Sequence, residues 1–150
     1  MVALDTNVLL AMARRGDQAD RIRLSLERLG EAHKIVVGTG VFREFLAVAT
    51  RAPSTNGLGL SIGNACRVWT YLTSEIVLVP EGPTTHESLR RLVETYGITG
   101  FRVHDAYHVA VAVSHGATHF LTYDRDDFAP FAAEITLLHP DDVAGTQDLA

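Results

Sequence analysis

The chain has few of the features that secreted, membrane-spanning or broadly basic proteins carry. Cys66 is its only cysteine, so no intramolecular disulfide can form, and a reducing cytoplasm is the expected location. No apolar run approaches the roughly 18 residues that a membrane span needs, and we expect no secretion signal. The net charge of −5 argues against a surface that attracts nucleic acid everywhere. It does not exclude nucleic acid, because acids gathered around bound cations also count as negative.

Lysine is nearly absent as well. Lys34 is the only lysine among 13 basic residues, and the rest are arginines, whose planar guanidinium suits phosphate. The hydrophobic fraction of 47% and the charged fraction of 21% are typical of globular proteins. A length of 150 residues fits a single domain over 1–150 with a substantial core.

Short β-branched runs alternate along the chain with amphipathic segments. The predicted strands span 2–4, 34–38, 75–79, 116–122 and 135–138, and the predicted helices span 8–15, 17–29, 41–50, 62–72, 84–96 and about 102–113. Asn7 is predicted to cap the first helix, Gly30 to end the second, and Thr84 or Thr85 to cap the fifth. Residues 51–61 read as a loop, and the tail beyond Pro140 as loosely held. This alternation predicts a parallel sheet covered by helices on both faces.

Acidic residues occur where such a fold would gather them. Asp5 and Asp124 follow the first and fourth strands, Asp105 lies in the first turn of a helix, and Glu44 lies on the helix after strand two. In open α/β sheets, ligands bind beyond the carboxyl ends of the strands. Considered alone, Asp5 could simply cap the next helix, and Glu44 could be an ordinary surface residue. Together they predict one carboxylate cluster.

Clustered carboxylates repel one another unless a cation lies between them. Oxygen-only ligands suit Mg²⁺ or Mn²⁺, which retain several waters. Such a site can activate water and stabilise charge on a phosphate, so the predicted chemistry is phosphodiester hydrolysis.

The same motifs resemble a known family. Leu4-Asp5-Thr6-Asn7, Glu44 on a helix, His104-Asp105-Ala106 before an Ala/Val-rich helix, and Thr122-Tyr123-Asp124 before Phe128 are similar in order and spacing to the PIN-domain family, especially VapC-type toxins. The resemblance covers nearly the whole chain. It implies a three-layer α/β/α sandwich around a mainly parallel five-stranded sheet. It also implies a Mg²⁺- or Mn²⁺-dependent endoribonuclease, usually a homodimer, that a VapB-type antitoxin inhibits.

The resemblance also implies roles for single residues. The metal-binding and catalytic acids fall on Asp5, Glu44, Asp105 and Asp124. The supporting polar residues fall on Thr6, Asn7 and Thr122, and Arg102 is a candidate for binding the RNA substrate. One additional residue separates Asp124 from Phe128, which leaves open whether Asp126 or Asp127 assists the site.

Other functions compete with this interpretation. His104 and His108 form an H-x-x-x-H pair, as in zinc proteases, but Asp105 is a short acid for the base and Ser114 replaces a third histidine. A phosphatase with Asp5 as nucleophile would need a second acid where Asn7 stands. A housekeeping PIN-domain nuclease, or a catalytically silent PIN-fold binding protein, also fits the sequence.

Overall fold

The computed structural model describes residues 1–14 and 16–145. Its strands are β1 (Val2–Leu4), β2 (Ile35–Gly38), β3 (Val77–Val79), β4 (His119–Leu121) and β5 (Thr136–Leu138). Its helices are α1 (Thr6–Arg14), α2 (Asp17–Ala32), α3 (Val41–Ala49), α4 (Ile62–Leu72), α5 (Pro83–Tyr96), α6 (Val103–Ser114), α7 (Arg125–Phe128) and α8 (Pro140–Gly145). Short 3₁₀ turns lie at Pro53–Thr55, Gly100–Arg102 and Ala129–Phe131. No helix among the described residues is long and apolar enough to cross a membrane.

The five strands form one sheet in the order β3-β2-β1-β4-β5, and every neighbouring pair is parallel. Ala3 on β1 pairs with Val36 on one side and Phe120 on the other. The chain builds outward from β1 in one direction and then crosses to its other side at β4. The carboxyl ends of β1 and β4 therefore meet at a topological switch point, where such sheets bind ligands.

Alternate strand residues pack into two separate helical layers. Leu4 and Leu121 face a core with α1, α2, α3, α4 and α8, where Phe45 and Trp69 supply large side chains. Ala3 and Phe120 face the opposite core with α5, α6 and α7. This confirms the predicted three-layer α/β/α sandwich with a parallel five-stranded sheet.

Two predicted helix boundaries are wrong: the end of α2 at Gly30 and the N-cap of α5 at Thr84 or Thr85. Gly30 lies inside α2, which continues to Ala32. A glycine at this exposed position reduces helix stability only modestly, and the neighbouring Leu29 is buried in the core. Neither Thr84 nor Thr85 caps α5, since the helix begins at Pro83, a residue suited to a first turn. The Thr85 hydroxyl instead accepts a hydrogen bond from the Gly82 N–H at 3.3 Å.

The prediction of a loosely held tail is wrong for residues 140–145. These residues form α8, whose Val143 is buried in the core against α2. The Ser25 hydroxyl on α2 donates to the Pro140 carbonyl at 2.6 Å, and Arg28 donates to the Val143 carbonyl at 2.9 Å. The rest of the predicted tail, 146–150, lies outside the described residues.

Candidate active site

A cavity of about 390 Å³ opens beyond the carboxyl ends of β1 and β4. All four predicted metal-binding acids line it, and so do Asp127, the two histidines of α6 and the predicted supporting residues of α1. The acidic and histidine side chains on its wall are Asp5, Glu44, His104, Asp105, His108, Asp124 and Asp127. Because α3 and α6 cover opposite faces of the sheet, the cavity receives side chains from both helical layers.

The acids that follow β1 and β4 are joined by a network of hydrogen bonds. The Thr122 hydroxyl donates to Asp5 Oδ2 at 2.7 Å, and Asp5 is only 7% exposed. Asn7 Nδ2 lies 3.1 Å from both Thr122 Oγ1 and Asp124 Oδ2. The Asn7 Oδ1 accepts from the Tyr123 N–H at 3.3 Å. The network holds the two carboxylates in fixed positions across the switch point.

These contacts correct the predicted role of Asn7 as a helix cap. The helix α1 already begins at Thr6, and the Val8 N–H bonds to the Asp5 carbonyl at 3.2 Å. Asn7 is therefore a residue of the first turn. Its amide is free to connect α1 to the residues that follow β4.

Glu44 is held by two residues from different layers. The Thr6 hydroxyl on α1 donates to Glu44 Oε2 at 2.7 Å, and His108 Nε2 lies 3.0 Å from each carboxylate oxygen. The sequence pattern suggested His108 only as a zinc ligand and did not predict its contact with Glu44. Its one signal was the spacing from Asp105, since residues three apart on a helix share a face.

Burial and charge shift the pKa values of the cavity side chains. Burial raises the pKa of Asp5, against the lowering effect of its hydrogen bond from Thr122. Burial and the neighbouring charge of Asp127 raise the pKa of Asp105. Burial opposes the charged forms of Glu44 and His108, but their mutual contact prevails, lowering the pKa of Glu44 and raising that of His108. The raised pKa values of Asp5 and Asp105 reflect mainly the cost of burying a negative charge.

The oxygen-rich donor set suits a hard divalent cation in its chemistry. Within the described part of the chain, however, no three His, Cys, Asp or Glu side chains are grouped as a metal site in their present positions. Thr122, Asn7, Thr6 and His108 hold the carboxylates of Asp5, Asp124 and Glu44 in these positions through hydrogen bonds.

The remaining candidates, Asp126, Asp127 and Arg102, differ in whether they line the cavity. Asp127 lines the cavity and Asp126 does not. Arg102, predicted to bind substrate, donates from Nη2 to the Asp127 carbonyl at 2.8 Å and does not line the cavity. Arg51, which the sequence did not single out as a site residue, lies on the cavity wall instead.

Comparison with known proteins supplies a family and a set of similar folds. The PIN domain family matches residues 2–134. No curated protein matches the chain.

Several solved structures share the fold. VapBC2 from Rickettsia felis, bound to a DNA fragment of its promoter, aligns with a TM-score of 0.69 and 14% identity. VapBC-1 from nontypeable Haemophilus influenzae aligns at 0.67 and 15%, and a toxin–antitoxin complex from Klebsiella pneumoniae at 0.62 and 17%. Each alignment covers 93% of this chain and 98% of the other. At these identities the similarity is one of fold.

Proposed function

The chain belongs to the PIN-domain family, and from that premise we propose that it is a Mg²⁺- or Mn²⁺-dependent endoribonuclease, the toxin of a toxin–antitoxin pair. The observation that carries the proposal is the position of Asp5, Glu44, Asp105 and Asp124 around one cavity at the switch point of the sheet. Neither lysine nor cysteine lines that cavity among the described residues. Its chemistry therefore favours oxygen-coordinated ions and phosphate transfer over thiol or amine chemistry.

We assign the four acids to metal binding. When bound there, a divalent cation would activate the attacking water and stabilise charge on the phosphate. Asp5 is the central ligand in this proposal, because it is the most buried of the acids and its carboxylate is oriented by Thr122. Burial raises the pKa of its carboxyl, which supports a compensating positive charge at this position.

The neighbouring polar residues position these acids. Thr122 orients Asp5, Asn7 orients Asp124, and Thr6 holds one oxygen of Glu44. Each donor leaves lone pairs on its carboxylate for another partner. His108 shares the remaining hydrogen-bonding capacity of Glu44, so we propose that Glu44 exchanges this partner when an ion binds.

The proposed biological setting follows the similar structures. Their VapBC toxin–antitoxin complexes support a VapB-type antitoxin as the partner of this chain. We further propose a cytoplasmic homodimer in which residues 1–150 form one nuclease domain. Arg102 is tethered to the Asp127 carbonyl beside the cavity, and Asp127 lines the cavity without being assigned as a metal ligand.

The first test is cleavage of single-stranded and looped RNA by the purified protein in Mg²⁺, Mn²⁺, Zn²⁺ or EDTA. We expect activity with Mg²⁺ or Mn²⁺, none in EDTA, and none for Asp5→Asn at unchanged circular dichroism. Asp126→Asn is the matched control, because this acid is exposed and lies off the cavity. Full activity in EDTA, or activity with zinc alone, would reject the proposed site.

The second test concerns the toxin role. Expression of the chain without a partner should arrest growth, and Asp5→Asn should abolish the arrest while the protein remains folded. Asparagine has nearly the same size as aspartate but no charge, so a loss of toxicity reports on ion binding rather than on packing. Cleavage in vitro without growth arrest would instead support a housekeeping nuclease. The absence of both cleavage and growth arrest would support a catalytically silent binding protein.

A further inference from the structure

A second cavity, of about 420 Å³, continues the active-site cavity along two helices. The two cavities share wall residues on α1, on and just after α3, and beyond the end of β4, namely Asn7, Leu10, Val48, Arg51 and Asp124. Both α1 and α3 begin at the acids and lead away from them, since each follows a strand whose carboxyl end faces the site. The space between these helices is therefore a groove that starts at the carboxylates.

Helical periodicity places an arginine at the far end of each wall. On α1, Arg14 follows Asn7 by seven residues, which is two turns along the same face. Arg51 follows Glu44 by seven residues, and its N–H bonds to the Val48 carbonyl at 3.2 Å just beyond the end of α3. A rise of 1.5 Å per residue puts the Arg14 backbone about 10 Å along α1 from Asn7, whereas Arg51 also lines the active-site cavity itself.

The surrounding loop fixes the base of Arg51. The Gly59 N–H donates to the Arg51 carbonyl at 2.8 Å, and the Leu58 N–H donates to the Val48 carbonyl at 3.2 Å. A Cβ atom at Gly57 would lie 2.0 Å from the Arg51 carbonyl oxygen, so glycine permits this close approach. The loop over 51–61 thus holds one end of the groove in place.

The two guanidinium groups carry charge that no carboxylate of the described chain neutralises. Arg51 makes no side-chain hydrogen bond or ion pair with the residues that the structure describes, and Arg14 reaches only Asn56 Oδ1, at 3.5 Å. Other exposed arginines are paired: Arg23 with Asp20 at 2.6 Å, and Arg90 with Glu94 at 3.3 Å. In a chain of net charge −5, two unpaired cations beside the acids point to an anionic ligand.

We propose that Arg14 and Arg51 bind the phosphodiester backbone of single-stranded RNA on one side of the scissile phosphate. The inference rests on the proposed function, because it extends the substrate from the reacting phosphate into the adjoining groove. Guanidinium groups bind phosphate through paired N–H donors. The remaining polar lining, which includes Asn56 and Gln18, suits sugar and phosphate oxygens better than the apolar anchors of a protein interface.

The decisive experiment compares two double variants that each remove two positive charges. Arg14→Gln/Arg51→Gln changes the groove, and Arg23→Gln/Arg90→Gln is the matched control on exposed helix faces away from the shared cavity wall. Binding of a fluorescent 12-nucleotide single-stranded RNA is measured by anisotropy at several salt concentrations in the Asp5→Asn background, where the RNA remains intact. Steady-state cleavage of the same RNA is measured with Asp5 present.

We expect the groove variant to raise KM about tenfold with a smaller effect on kcat, because neither arginine is among the residues assigned to bind the metal. The slope of log Kd against log salt should fall by about 1.4, the value for two phosphate contacts on a single strand. Arg14→Lys/Arg51→Lys should recover most of the affinity, since it restores the charges. The control should keep the KM and slope of the parent.

Other outcomes would overturn the inference and are separable from one another. A groove variant that cleaves and binds like its control would reject the RNA path while leaving the proposed nuclease intact. Unchanged RNA binding with weakened binding of a co-expressed antitoxin would assign the arginines to a protein partner. A parent chain that neither binds nor cleaves RNA would reject the nuclease and the RNA path together.

Discussion

Asp124, Asp126 and Asp127 lie within one short turn but face different surroundings. Asp124 accepts a hydrogen bond from Asn7 and lines the active-site cavity, as Asp127 does, whereas Asp126 does not line it. We expect Asp124→Asn to reduce RNA cleavage by about 100-fold while the protein stays folded, at the upper end of the roughly 10–100-fold losses found when the hydrogen-bonding partners of metal ligands are removed. Asp126→Asn should stay within about twofold of the parent.

Asp127→Asn should behave differently from both. Its charge helps to raise the pKa of Asp105, so its removal should lower that pKa and make Asp105 easier to ionise. The expected effect is an activity profile displaced to lower pH, with a smaller loss of cleavage than Asp124→Asn. All three proteins would be assayed for cleavage between pH 5 and 9 and for melting temperature. Full activity of Asp124→Asn together with loss in Asp126→Asn would mean that the wrong acid had been assigned.

His108 and Glu44 form a partly buried ion pair whose effect on stability depends on pH. The raised pKa of His108 means that its contribution is present below the ordinary histidine value of 6.5 and disappears as pH rises through the higher folded value. The lowered pKa of Glu44 means that its contribution is present above 4.5 and disappears as pH falls through the lower folded value. The pair therefore stabilises the fold most between about pH 4.5 and 6.5.

Replacing His108 by glutamine tests this dependence. The side chain of Glu44 is 43% exposed, so solvent screening reduces the value of the pair, and we expect a loss of about 1–2 kcal/mol near pH 6. The difference from the parent should shrink as the pH rises above the raised His108 pKa. Urea unfolding of both proteins in EDTA at pH 6 and pH 9 measures it. An equal loss at both pH values would attribute the effect of His108 to packing alone.

The contact between α2 and α8 depends on one buried hydroxyl. Ser25 is fully buried and its hydroxyl donates to the Pro140 carbonyl at 2.6 Å, while its oxygen also lies 2.9 Å from the Arg21 carbonyl of its own helix. Ser25→Ala leaves the Pro140 carbonyl without this donor, at an expected cost of about 1–2 kcal/mol in urea unfolding. Thr70→Ala is the control, because the exposed Thr70 hydroxyl bonds only to the Cys66 carbonyl of its own helix. Equal losses in the two variants would show that the α2–α8 bond contributes nothing.

Helices and strands with a strong periodic pattern could be read from the sequence. The predicted helix over 62–72 matches α4 (Ile62–Leu72), because its buried positions recur at helical spacing, and the predicted first strand matches β1 (Val2–Leu4), because it is a short, continuously buried apolar run. By contrast, α8 is too short to show such a pattern and forms where it packs against α2. Its stability comes from tertiary contacts that no local window contains.

In the active site, likewise, some positions could be predicted from local sequence, whereas others depend on tertiary packing. Strand ends and helix starts placed Asp5, Asp105 and Asp124 near one sheet edge, since parallel strands end together. The bond between His108 and Glu44 joins residues 64 positions apart on opposite layers of the sheet. Only the packing of α3 and α6 across β2 brings them together, so sequence periodicity could not reveal that Glu44 has a histidine partner. The catalytic roles of the acids remain predictions.

Metal binding should increase the free energy of unfolding of the entire domain, because the four acids come from β1, β4, α3 and α6 and meet at one edge of the sheet. Burial raises the pKa of Asp5, and burial with the charge of Asp127 raises that of Asp105. A raised carboxyl pKa contributes stability below the unfolded value, and this contribution disappears as pH rises through the folded value. The metal-free protein therefore bears a growing cost of ionising both groups as pH rises through their folded values.

An ion that binds only the native state offsets this cost and adds RT ln(1 + [L]/Kd), about 2.7 kcal/mol at one hundred times Kd. For a chain of this length, that corresponds to a rise in melting temperature of roughly 5–10 °C. We expect Mn²⁺ to produce such a rise at pH 7 and a smaller one at pH 5, where protons already compensate part of the charge. Asp5→Asn should abolish the response and, in EDTA, melt at or above the parent temperature, because the amide carries no charge to desolvate. Asp126→Asn should respond to Mn²⁺ like the parent. A parent melting temperature that millimolar Mn²⁺ and Mg²⁺ leave unchanged would contradict a shared carboxylate site, whatever the cleavage assays show.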